Sequence, residues 1–212
     1  MATVKASKLP DGLEIAPGYT VCCWKNLSLD PDQPNSQDWK KALEIFDARI
    51  RCRFLDPADA LIAYEANYSR KKFGFAILAI DCLVIETLQG IREGEINHYN
   101  KSKRLFINFL KQWSVFRDCT RDQSKHERCA ELIYEGYRCA LHHSGSTDGA
   151  LRVGVTGPTF AFKNDHEVTI NRTCLHNNLK DEFDAYLADL RALDKRDLRC
   201  NFKKKMDAIC GL

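Results

Sequence analysis

The chain has 212 residues, 44% of them hydrophobic and 29% charged, a globular composition that excludes a collagen-like or wholly disordered chain. Lysine and arginine number 32 against 29 acidic residues, a formal net charge of +3. That surplus is too small to mark a nucleic-acid protein by bulk charge, so any phosphate contact must come from a local basic patch.

The length suits one domain with a single core. The first residues, MATVKASKLPDGLEIA, lack the apolar core of a secretory signal. Without such a signal the ten cysteines read as reduced thiols rather than a disulfide framework, and the expected location is cytoplasmic.

Residues 1–35 carry Pro10, Pro17, Pro31 and Pro34 and read as an irregular arm, anchored by Trp24, ahead of one helical domain over residues 36–212. Trp39, Ala42, Leu43, Phe46 and Ile50 follow the spacing of one helix face, with Asn35 or Ser36 as cap. Asp56-Pro57 reads as a cap and a first-turn proline, opening a short helix with Leu61, Ile62 and Tyr68. The run from Phe73 to Ile91 is long enough to span a bilayer, but Asp81 and Glu86 lie inside it. It is expected to be a core helix starting near Arg70, its two acids buried against arginines, and no membrane association is expected.

Phe106, Phe109, Leu110, Trp113 and Phe116 mark the next helix, and another runs from about Ser124 to His143, ended by Ser144-Gly145. Leu151, Val153 and Val155 alternate, as do Phe160 and Phe162 beyond Thr156-Gly157-Pro158, which predicts a β-hairpin with Val168 to Ile170 as a third strand. Leu175, Leu179, Phe183 and Leu187 begin a further helix, and a last one sets Leu198, Phe202, Met206 and Ile209 opposite Lys203, Lys204 and Lys205. The fold class is mainly α, with a small β-hairpin before the C-terminal helices.

The informative stretch is IYEGYRCALHHSG. Glu131, Glu135, Arg138 and His142 are separated by four, three and four residues, which aligns them along one helix face. Gly136 and Cys139 are small and lie on the face leading to His143, so another helix, from this chain or a second copy, is expected to approach there. Read plainly, this is a solvated row of salt bridges beside a close helix crossing. Cys174-x-His176 and His126-x-x-Cys129 have metal-ligand residue types, but no paired spacing completes a tetrahedral set. No glycine-rich phosphate loop is present, and neither metal nor cofactor is expected. Basic clusters at Arg70-Lys71-Lys72, Lys101 to Arg104 and Lys203 to Lys205 are candidate tracks for an RNA backbone.

Arg138, four intervening residues and His143, late in a long helix, resemble the R-x4-6-H motif of the HEPN superfamily. The phrase YRCALHHSG is similar to the aromatic-Arg-x-x-Leu-x-His runs of many members, and the resemblance covers residues 36 to about 190. It implies a HEPN-like helical bundle, a homodimer with two motifs facing one cleft, and a metal-independent endoribonuclease of a toxin–antitoxin or antiviral system. An antitoxin or other regulatory protein is then an implied partner. It equally admits a non-catalytic module that binds RNA, a nucleotide or a protein. Arg138 matches the motif arginine and His143 the motif histidine. Many members carry Asn, Asp or His after the arginine; here it is Cys139, a departure that bears on activity more than on fold.

RNA cleavage without metal needs a base for the 2′-hydroxyl, an acid for the leaving 5′-oxygen, and a cation for the charge that develops on phosphate. Histidine's ordinary pKa of about 6.5 serves either proton transfer. A guanidinium supplies a fixed charge and a fork of donors. On an ideal helix Arg138 and His143 are about 140° apart, whereas Arg138 and His142 share a face. Both histidines therefore stand as candidates, with Glu135 one turn earlier placed to orient Arg138.

Overall fold

The computed structural model describes residues 9–120, 122–139, 141, 151–163 and 166–212. The chain is mostly helical and divides into two units, Met1–Arg53 with Gly90–Asn97 and Ala185–Leu212, and Phe54–Gln89 with His98–Asp184.

The N-terminal segment is more regular than the prolines suggest. Strand β1 (Glu14–Ala16) pairs antiparallel with β2 (Tyr19–Thr20), and helix α1 (Val21–Lys25) follows directly. Pro17-Gly18 makes the turn between the strands, with Gly18 at a φ of 76° that a side chain would resist. Helix α2 (Gln37–Ile50) is capped by Ser36, whose Oγ accepts from the Trp39 N–H at 3.2 Å.

The core of this first unit is aromatic. Trp24, Trp39 and Phe46 surround Phe202 at centroid distances of 5.9, 6.0 and 5.1 Å, contributed by α1, α2 and the last helix, α9 (Arg196–Ile209). Two cations on α9 turn inward. Arg199 is 1% exposed and donates to the carbonyls of Pro31, Leu190, Ala192 and Leu193. Lys205 is buried and donates to Glu95 O at 2.7 Å and Ile96 O at 3.1 Å, so it does not share the outward face of Lys204. Burial also lowers the Lys205 pKa.

In the chain order, α2 passes into a π-turn at Arg51–Leu55 and then α3 (Asp56–Glu65). Asp56 is therefore no cap: Leu55 before it is already helical, with φ −70° and ψ −48°. Pro57 lacks an N–H and cannot complete the ladder, and a wider turn just ahead of it absorbs that gap. The core helix α4 (Gly74–Arg92) starts four residues later than Arg70. Among the described residues it alone is long and apolar enough to cross a membrane, and 61% of its apolar window is buried inside the protein, as befits a core helix.

The second unit continues with α5 (Ser102–Gln112), α6 (Ser114–Thr120) and α7 (His126–Ile133), which runs into a π-turn at Tyr134–Cys139. Three strands follow, β3 (Leu151–Gly154), β4 (Phe160–Phe162) and β5 (Val168–Asn171), then α8 (Arg172–Arg191). The sheet order is β3-β5-β4. The expected hairpin of β3 with β4 does not form. Instead β5 lies between them, parallel to β3 with Leu151 opposite Val168, and antiparallel to β4 with Phe160 opposite Ile170. Three of the four β5 residues are buried, so β5 takes the centre, where both edges of its backbone are paired. Phe160 and Phe162 close on Phe116 at 5.6 and 6.2 Å, joining sheet to α6.

Candidate functional site

The polar centre of the second unit is Glu86, on α4. Arg138 donates to its Oε2 from Nε at 3.1 Å and from Nη2 at 2.9 Å. Ser102 Oγ donates to the same oxygen at 2.7 Å and accepts from the Tyr134 hydroxyl at 3.2 Å. The other carboxylate oxygen, Oε1, lies 3.6 Å from His98 Nδ1, an ion-pair distance when the ring is protonated. The Arg138 guanidinium also sits 5.8 Å from the Tyr134 ring centroid, a cation–π contact. One carboxylate thus gathers residues from α4, the 93–101 loop, α5 and the π-turn.

The π-turn shapes this cluster. Across Tyr134–Cys139 the backbone repeats at i+5, so the face arithmetic of an ideal helix does not hold there. Burial raises the Tyr134 pKa, against the opposing pull of its hydrogen bond to Ser102. Cys82, one turn from Glu86 on α4, is fully buried, and burial raises its pKa so far that it stays a neutral thiol.

Glu135 does not orient Arg138. It pairs with Lys103 Nζ at 3.0 Å, and Glu131 pairs with the same ammonium at 3.0 Å. The row read as one charged stripe is therefore two systems, with Lys103 serving the two glutamates and Glu86 serving the arginine. His142 and His143 lie outside the described residues, as do Ser144 and Gly145.

Gly136 faces a strand of its own unit rather than a helix. A Cβ there would stand 1.4 Å from Leu151 Cδ1, so β3 occupies the space that the glycine leaves. The close approach inferred from small residues is real, and its occupant is intramolecular.

The other buried acid on α4 has a different partner from the expected arginine. Asp81 and His176 are both 0% exposed, with Asp81 Oδ1 2.8 Å from His176 Nδ1. His176 Nε2 lies 3.3 Å from Asp59 Oδ1, and Lys180 donates to Asp59 Oδ2. Burial raises the Asp81 pKa, opposed by the bond to His176. His176 is thus turned away from any pairing with Cys174, whose thiol lies toward Gly157 O at 3.9 Å.

The basic clusters are largely committed to the fold. Lys71 donates to Glu65 O and Tyr68 O at 2.6 and 2.9 Å, Lys103 holds its two glutamates, and Lys203 pairs with Asp207 at 2.6 Å. His98 and Ser102 were not legible as site residues, because nothing in their spacing ties them to α4 or to the motif helix. Glu86 was legible, as an acid inside an apolar run.

Comparison of the chain with family models, with curated proteins and with solved structures finds no match in any of the three.

Proposed function

We propose that the chain is a HEPN-type helical domain that acts on RNA as a homodimer, cleaving it without a metal in a cytoplasmic toxin–antitoxin or antiviral setting under an antitoxin or other regulatory protein. One observation carries the reading: Arg138, 21% exposed at its side chain, is held in a fixed orientation by Glu86. A guanidinium fixed before substrate arrives stabilises developing phosphate charge without reorganising. His98 on the other oxygen of Glu86 adds a histidine at the same carboxylate.

In this mechanism a histidine takes the proton from the 2′-hydroxyl and the 2′-oxygen attacks phosphorus. The bond to the 5′-oxygen breaks as a second histidine protonates it, leaving a 2′,3′-cyclic phosphate and a 5′-hydroxyl. His143 is assigned by the motif, with His142 as the alternative, and the second copy of the chain supplies the second proton donor.

A different feature of the same contact favours a second reading. Two donors of Arg138 end on one Glu86 oxygen, so its charge is balanced before any phosphate arrives. That suits a module with an inert motif that binds RNA, a nucleotide or a protein. Incubating purified protein and Arg138→Ala with mixed RNA in EDTA separates the two. Cleavage lost with Arg138→Ala supports the nuclease. Retention of RNA without cleavage by wild type supports the binding module, and equal cleavage by both proteins removes Arg138 from the chemistry.

A further inference from the structure

A second place in the same unit carries unsatisfied positive charge. A cavity of about 250 Å³ opens beside the first turn of α4, with Lys71, Lys72 and Arg172 on its polar side and Phe75, Val153 and Val155 on its apolar side. Arg172 is 2% exposed, and its Nη2 pairs with Glu65. Its Nε and Nη1 are buried and have no hydrogen-bond partner among the described residues.

Glu65 is not placed to fill those donors. Its Oε1 accepts the backbone N–H groups of Lys72 and Phe73, and its Oε2 takes Arg172 Nη2. Buried guanidinium donors are costly to leave empty, and the cavity that Arg172 borders is where an acceptor can come from. Charge points the same way. Lys71, Lys72 and Arg172 together outnumber Glu65, leaving a surplus of two positive charges. The amides that lead into α4 and α8 are already engaged, those of Lys72 and Phe73 by Glu65 Oε1 and those of Thr173 and Cys174 by Asn171 Oδ1, so the surplus charge comes from the side chains.

We propose that this cavity binds a small phosphomonoester. Its dianionic phosphate matches the surplus charge and fills the empty donors of Arg172, while its carbon skeleton rests on Phe75, Val153 and Val155. The buried nitrogens are closed to solvent, so binding includes a small displacement of the side chains over them. This site is separate from Arg138 and does not depend on RNA cleavage.

Calorimetric titration of the full chain with inorganic phosphate, AMP and adenosine tests it. AMP is expected to bind saturably, phosphate about tenfold more weakly, and adenosine not at all. Lys72 and Val155 are exposed, so their variants keep the fold, which an unchanged Tm without ligand checks. Lys72→Gln should weaken AMP about tenfold, and Val155→Asp, which sets an anion on the cavity wall, should abolish binding. The proposal is overturned if neither AMP nor phosphate binds below about 10 mM, a range already weaker than ordinary ligand affinities. It is equally overturned if both variants bind as wild type does, if adenosine competes, or if Arg138→Ala removes AMP binding, which would move the ligand to the other site. Phosphate binding as tightly as AMP would show that the apolar wall is unused and would overturn the ester assignment. Binding of a 5′-phosphorylated RNA with no binding of AMP would overturn the small-ligand assignment.

Discussion

Arg138 places two N–H groups on a single oxygen of Glu86, from Nε at 3.1 Å and Nη2 at 2.9 Å. The side chains are 21% and 11% exposed, so the pair is mostly enclosed and its geometry is held by packing as well as charge. Glu86→Gln keeps the shape and removes the negative charge. Chemical denaturation should show a loss of about 1–3 kcal/mol, the scale of a charge-assisted hydrogen bond in an enclosed site. RNA retention should tighten, because Arg138 is no longer neutralised, while cleavage falls because the guanidinium is no longer held. A variant that loses both together would mean that Glu86 only supports the fold.

The histidines separate by kinetics. His143→Ala should lower cleavage by about 10² to 10⁴, the usual scale for a general acid or base, whereas His142→Ala should mainly weaken binding or stability. His98→Ala should leave most of the cleavage rate, since His98 reaches the site only through Glu86. If His142→Ala causes the deeper loss, the i+4 alignment with Arg138 is the working one. Equal small effects at 142 and 143 favour the inert module.

Gly136 and Leu151 form a pair whose coupling can be measured. Gly136→Ala puts a methyl where Leu151 Cδ1 lies, and overpacking should cost about 1–3 kcal/mol, despite alanine's better helix propensity. Leu151→Ala alone should cost about 2–5 kcal/mol as a cavity. The double variant should lose clearly less than the sum, because each change supplies the room or the volume that the other lacks. Simple additivity in urea denaturation would place Gly136 against something other than β3.

Glu65 makes stability depend on acid. Burial pushes its pKa up, but the N–H groups of Phe73 and Lys72 and the Arg172 guanidinium together win, and the carboxyl ends below its ordinary value of 4.5. A lowered folded pKa means that this contribution is present above pH 4.5 and is lost as pH falls through the folded value. Glu65→Gln should cost about 3–5 kcal/mol at neutral pH, because Arg172 is left buried without its counter-charge. The gap to wild type should narrow below pH 4.5. A gap that stays constant from pH 7 down to about 3 would remove Glu65 as the titrating group.

What the sequence disclosed follows how local each feature is. The helix at Gly74–Arg92 was visible because its apolar residues are contiguous, and the cap of α2 was narrowed to Asn35 or Ser36 because a cap acts within three residues; the structure selects Ser36. The smallness of Gly136 was visible, but its neighbour Leu151 was not, since glycine reports a close approach without naming the partner. Asp81 and His176 sit 95 positions apart, and neither carries a local sign of the other. Alternation marked β3 and β4, with Val168 to Ile170 as a third strand beside them, yet the place of β5 between the two depends on burial of its side chains, which periodicity cannot rank. Lys205 looked like one of three surface lysines because the Glu95 and Ile96 carbonyls it serves come from a distant loop. In the candidate site, Arg138 came from a motif, Glu86 from an acid in an apolar run, and His98 from nothing in the sequence.

The Glu65–Arg172 pair closes a stretch of 107 positions. Ordering so long a loop costs entropy before any contact within it is formed, and desolvating both charges adds to the barrier unless their surroundings are already in place. The pair is therefore expected to form on the native side of the folding barrier, which folding and unfolding rates of Glu65→Gln test. Its loss in Glu65→Gln acts mainly as faster escape from the native state, with refolding in dilute denaturant nearly as quick as before. The contact serves the protein as a clasp on its lifetime, so its loss is read in the unfolding rate as well as in the melting temperature.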